Sequence, residues 1–141
     1  MSERRVNVSS GSEFEATVGY SRAVRTGDHV VVAGTTGVGD DIAAQTREAL
    51  RRIEIALQEA GASLTDVVRT RMFVTDISRW REVGAVHAEV FGAICPVSTM
   101  VEVSALISPE LMVEIEVDAY LGSSAAPAAG GGANRPSAPG R

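Results

Sequence analysis

A chain of 141 residues holds one domain, so ligand binding and any chemistry must share a single core. With 45% hydrophobic and 22% charged residues the composition is that of a globular protein, and at 4% aromatics the core has to be built from Val, Ile, Leu and Ala. A formal net charge of −5, with no run of Lys or Arg, argues against a nucleic-acid partner, because such affinity rests on cationic neutralisation of phosphates.

The single cysteine, Cys95, excludes an internal disulfide framework, and with two isolated histidines it makes no zinc site, so no metal and no cofactor are expected. No apolar run follows Met1-Ser2-Glu3-Arg4-Arg5, and none approaches the roughly 20 residues a membrane helix needs. A cytoplasmic protein without a signal peptide or membrane partner is expected.

In chain order, Tyr20–Val24 alternates as a short strand, Thr26-Gly27-Asp28 carries turn chemistry, and His29–Ala33 is a second, more buried strand, together a hairpin. The glycines of Gly34–Gly39 make a flexible loop. It lacks the Gly-Lys-Ser/Thr ending of a phosphate-binding loop, so Gly34 reads as a place where backbone approaches a cleft closely. Asp40 or Asp41 caps a helix in which Ile42, Thr46, Ala49, Leu50, Ile53, Leu57 and Ala60 share one stripe, and Gly61 ends it. Val67–Asp76 reads as a strand, and about Arg79–Phe91 as a helix with Trp80, Val83, His87 and Phe91 on one side. After Pro96 come the strands Thr99–Val103 and Met112–Leu121.

This order predicts an α+β fold: a single domain over residues 1–121 with one mixed sheet and two helices packed on the same face. Residues 122–141, rich in Gly, Ala and Pro, are expected to be a disordered tail. In the last strand Val113, Ile115, Val117 and Ala119 point one way and Glu114, Glu116 and Asp118 the other. Arg69 and Arg71 are expected to share a face with Val67 and Phe73. The face away from the helices is then mixed, with carboxylates and guanidiniums able to pair across strands, and suits a subunit interface.

Several separated stretches carry a resemblance. They are Gly19-Tyr20, Val32-Ala33-Gly34, Glu59-Ala60-Gly61, Thr65 to Asp76, Pro96-Val97-Ser98-Thr99-Met100-Val101-Glu102-Val103, and Leu111 to Val117. In order and with few length changes from Tyr20 to Leu121, they resemble the RidA (YjgF) family of reactive-intermediate deaminases. The resemblance implies a homotrimer with an inner sheet barrel and with ligand clefts between subunits. It also implies hydrolysis of small enamines and imines to carbonyl compounds and ammonia without a cofactor. Residue by residue, Tyr20 matches the tyrosine that closes the cleft and Glu114 the glutamate that positions water. Ser98 stands where the family's carboxylate-clamping arginine belongs, and Met100 where a cysteine is common. A serine hydroxyl cannot replace a bidentate guanidinium.

The residues leave alternatives. Glu114 can position water in a cleft or simply pair with a strand-neighbour arginine. Arg71 can bind an anionic ligand in place of the missing arginine or belong to an ion-pair ladder with Glu114 or Glu116. Ser98 and Thr99, with backbone near Gly34, offer hydrogen bonds to a small-molecule substrate but no activated nucleophile. His87 and Cys95 read as packing. Loss of the arginine also fits a non-catalytic ligand-binding or regulatory protein. A ribonuclease, reported for relatives of this family, is disfavoured by the acidic balance.

Overall fold

Asp41 begins the longest helix as its position predicts. Its carboxylate accepts from Ala44 N at 2.8 Å, closing the N-terminus of α2 (Ile42–Glu59). Ile42, Ala49, Leu50, Ile53, Ala56 and Leu57 on that helix are buried, and Gly61 follows its end at φ +88°, a conformation open to glycine.

The computed structural model describes residues 4–123. Around α2 it places β1 (Arg5–Val8), α1 (Glu13–Val18), β2 (Ala23–Thr26), β3 (His29–Thr35), β4 (Val67–Val74), α3 (Trp80–Phe91), β5 (Val97–Glu102) and β6 (Val113–Tyr120). The six strands form one sheet in the order β1-β2-β3-β6-β4-β5. Only β4 and β5 pair in parallel, so the sheet is mixed, and the last strand of the sequence lies near its middle. Val113, Ile115, Val117 and Ala119 of β6 share one apolar core with residues of both α2 and α3, so the two long helices cover one face. The residues from 124 onward, which include nearly all of the expected tail, lie outside the described region.

Three features depart from the sequence reading. The first strand of the hairpin begins only at Ala23, not at Tyr20, and the segment ahead of it holds a further strand, β1, and the short helix α1, whose Phe14 and Val18 are exposed and therefore leave no core stripe to read. Val67 does not share a face with Arg69 and Arg71. It pairs with Ala119 while Arg69 pairs with Asp118, so one extra residue bulges between them and Val67 turns into the core. Trp80 opens α3 but is 46% exposed, with the Arg81 guanidinium over its ring at 4.5 Å, and Val83, Val86 and Phe91 form the buried face instead.

Candidate functional site

A bulge in β3 builds the floor of the principal cleft. Val32 pairs with Val117 and Thr35 with Ile115, so three residue steps on β3 face two on β6, and the extra residue falls at Ala33–Gly34. The carboxylate of Glu114 lies in the space that a Cβ on Gly34 would occupy. Gly34 is thus the residue type that lets the side chain settle against the β3 backbone.

The cleft encloses about 1030 Å³. Phe14, Val18 and Tyr20 line it from α1 and just after, Arg52, Ile55 and Glu59 from α2, and Ile107, Glu110 and Leu111 from the loop before β6. Tyr20 is set by the end of α1: Gly19 adopts φ +92°, and the amides of Gly19 and Tyr20 both donate to the Glu15 carbonyl at 2.8 and 3.0 Å. The buried Glu15 carboxylate accepts from Ser9 Oγ at 2.8 Å and from Ser10 Oγ at 2.6 Å, tying α1 to the segment before it. These bonds hold its carboxyl below the usual range. On the opposite wall, Gln45 donates to the Glu110 carbonyl at 3.0 Å and accepts from Met112 N at 2.8 Å, which anchors the loop that delivers Glu114.

Arg22 holds these parts together. Its Nη1 donates to the Gly34 carbonyl at 2.8 Å and to Thr35 Oγ1 at 2.9 Å. Its Nη2 donates to the Tyr20 hydroxyl at 3.3 Å. Burial pushes the Glu114 carboxyl above the ordinary glutamate range, the neighbouring Glu116 adds to the rise, and Arg22 opposes it. The folded protein therefore binds a proton at Glu114 more tightly than the unfolded chain does. The associated stability is complete below the ordinary value of 4.5 and is lost as pH rises through the raised one. Glu114→Gln should accordingly melt a few degrees higher than the parent at about pH 8 and level with it at about pH 4, measured by thermal denaturation.

Within one chain the structure brings Glu114, Tyr20 and Gly34 together and leaves Arg71, Thr99 and Ser98 elsewhere. Arg71 does not line the cleft. Its Nη1 lies 3.1 Å from Glu116 Oε1 and 3.9 Å from Asp118 Oδ1 on the helix-free face, where cross-strand register sets it opposite Glu116. Thr99 is exposed beside it on the edge strand β5. Ser98, also exposed, instead accepts from Thr70 Oγ1 at 2.8 Å. That fully buried hydroxyl sits 2.9 Å from His87 Nε2. With Thr70 donating to Ser98, the imidazole N–H is the donor to Thr70. His87 is half-buried on α3 and packs on Phe91 at 4.8 Å, and burial lowers its pKa. Thr70→Val removes the middle hydroxyl and leaves that N–H unpaired, so unfolding stability should fall by about 1–2 kcal/mol in a urea titration.

Cys95 is not packed as expected. It is exposed, at φ +54°, with Sγ 3.3 Å from the Gly92 carbonyl. Among the described residues no group of three or more His, Cys, Asp or Glu is placed to hold a metal ion, and no helix is long and apolar enough to cross a membrane. The sequence reading missed Arg22 and Gln45. Both act across long stretches of chain, and the only local hint is an arginine two residues beyond Tyr20.

Sheet, helices and cleft define one class of protein. The family described as Endoribonuclease L-PSP matches residues 10–121, and the chain belongs to that family. A solved structure from Mycobacterium tuberculosis, a member of the YjgF/YER057c/UK114 family, superposes with a TM-score of 0.83 at 75% identity, over 84% of this chain and 100% of that one. An uncharacterised Streptomyces coelicolor protein is 37% identical over 86% of this chain and 96% of its own length. A Salmonella typhimurium 2-iminobutanoate/2-iminopropanoate deaminase is 30% identical over 69% of this chain and 83% of its own.

Proposed function

We propose that this protein hydrolyses an imine or enamine to a carbonyl compound and ammonia, with Glu114 as the group that handles protons. The observation that carries the proposal is the position of Glu114: a half-buried carboxylate of raised basicity at the floor of an open cleft, beside Tyr20, in a family that includes an imine deaminase. In the ionised form Glu114 takes a proton from water as the oxygen attacks the C=N carbon. The resulting carboxylic acid returns that proton to nitrogen to give a carbinolamine. A second transfer through the same carboxylate, from the carbinolamine hydroxyl to nitrogen, forms the carbonyl as the C–N bond breaks. One imine and one water give one carbonyl compound and one ammonia: the water oxygen stays on carbon and both of its hydrogens leave on nitrogen. Burial, which raises the pKa, makes the carboxylate a better base than an ordinary glutamate.

The active unit in this proposal is a homotrimer in which a neighbouring copy completes the cleft. The helix-free face of the sheet supports it: Phe73 and the exposed Val31, Val97 and Val101 lie there among Arg71, Glu116 and Asp118, a mixed surface suited to contact between copies. Ser98 and Thr99 on the edge strand are then placed to meet a ligand in a neighbour's cleft. A nuclease role, to which the family's description points, is poorly served by a cleft with three lining carboxylates, Glu59, Glu110 and Glu114, against two guanidiniums.

Ammonia release from imines generated in solution, measured over the uncatalysed rate together with the mass of the assembly by light scattering, tests this reading. The expected result is acceleration by a species about three times 14.7 kDa. Saturable binding without acceleration of any imine would assign the cleft to a binding protein instead.

A further inference from the structure

Five of the thirteen large hydrophobic side chains that are exposed among the described residues line the one cleft that contains Glu114. They are Phe14 at 48%, Val18 at 69%, Tyr20 at 36%, Ile55 at 41% and Ile107 at 73%. Scattered singly on a surface such residues need no explanation, but here three separate parts of the chain deliver them to one concave site. Phe14 and Val18 come from α1, Ile55 from α2, and Ile107 from a loop that Gln45 fixes beyond Glu110.

The charges in the same cleft point away from an anionic ligand. Arg52 donates to Glu48 at 3.0 Å and to the Thr36 carbonyl at 3.0 Å. Arg22 is held against β3 and Tyr20 by three hydrogen bonds, and its charge already acts on both Glu15 and Glu114. A ligand carboxylate laid on Arg22 would share it with those two groups in a cleft where carboxylates outnumber guanidiniums. A protonated iminium, by contrast, brings a positive charge to Glu114. Ser98 adds no cation from the edge strand, because its hydroxyl is neutral.

Building on the hydrolytic reading above, we infer that the substrate is an N–H imine, neutral or protonated, carried on an apolar alkyl or arylalkyl body and lacking a carboxylate. Glu114 faces its C=N end, and Phe14, Val18, Ile55 and Ile107 take the apolar body. From the protonated form, one iminium and one water give one aldehyde and one ammonium ion. A carbon–oxygen bond forms, the carbon–nitrogen bond breaks with its electron pair going to nitrogen, and no oxidant or reductant is required.

The test uses the full chain and three imines made in situ. A flavin amine oxidase acting on phenethylamine gives the arylalkyl imine. An amino-acid oxidase acting on leucine gives an apolar 2-imino acid, and acting on alanine gives a small one. The expected order of kcat/KM over the uncatalysed reaction is arylalkyl imine, then the leucine-derived acid, then the alanine-derived acid, with at least about a tenfold span from first to last. Ile107→Ser, at a position that is 73% exposed, is expected to raise KM for the arylalkyl imine several-fold while the assembly mass stays that of the parent. A preference for the alanine-derived acid would overturn this inference and leave the hydrolytic reading standing, whereas no acceleration in any arm would overturn both. A changed assembly mass with an unchanged KM in Ile107→Ser would assign the apolar patch to contact between copies and overturn the inference.

Discussion

Glu114→Gln should lower kcat for imine hydrolysis by about 10²–10⁴-fold while leaving KM within a few-fold of the parent, in a steady-state assay of ammonia release. Glutamine keeps the shape of the side chain and its fit over Gly34 but can neither accept a proton from water nor return one to nitrogen. The loss therefore falls on the chemical step. The same substitution is expected to stabilise the fold above the ordinary glutamate range, because the burial and the Glu116 repulsion that raise the Glu114 pKa no longer act on a charge. A variant that is more stable yet nearly inactive separates a catalytic carboxylate from one that merely packs. If Glu114 served only the sheet, its replacement would leave turnover unchanged.

Gly34→Ala should cost roughly 10²-fold in kcat with a melting temperature within a few degrees of the parent. The backbone at Gly34 is not left-handed, so alanine carries no conformational penalty there. The three atoms nearest to the added methyl all belong to the Glu114 side chain, whose carboxylate must swing aside. Displacing a base by an ångström or so is enough for such a loss, since the attacking water has to lie along the carboxylate's lone pairs. The Gly34 carbonyl still accepts from Arg22, which keeps β3 and Tyr20 in place. Crystallography of the variant should show the Glu114 carboxylate displaced and the rest of the cleft unmoved. A fall in melting temperature of more than ten degrees or so would instead mark Gly34 as a folding residue.

The two elements that place the floor of the cleft are legible in the sequence because their signals are local. The stripe from Ile42 to Leu57 with Asp41 before it repeats at helical spacing, and Val113 to Ala119 alternates at strand spacing, which by itself puts Glu114 on the face away from the helical core. The bulges are not legible. An extra residue at Val68 or at Ala33–Gly34 changes which side a residue faces, and nothing in the adjacent side chains announces it. Trp80 defeats the helical pattern because spacing alone cannot say whether the first residue of a helix still overlies its neighbours.

In the cleft, Tyr20, Gly34 and Glu114 stand out in the sequence largely through the resemblance to RidA proteins, and the fold does bring the three together. Arg22 is silent there because its bonds reach 12 and 13 residues along the chain to Gly34 and Thr35, and those of Gln45 reach 65 and 67. Arg71 has the charge to replace the missing arginine, but its guanidinium is drawn to Glu116 and Asp118 across the strands. Ser98 looks like a ligand contact. Within one chain it ends a hydrogen-bonded chain through Thr70 to His87, a link that joins β5, β4 and α3 and has no trace in any one of their sequences.

The pH dependence of kcat/KM for imine hydrolysis, recorded in parallel for the parent protein and Glu114→Gln, goes most directly to the role given to this carboxylate. The parent should show a limb that rises with pH through a value above that of an ordinary glutamate, and the variant should lack it. A limb of the same position and size in Glu114→Gln would mean that another group handles the proton and that the cleft's chemistry has been assigned to the wrong residue.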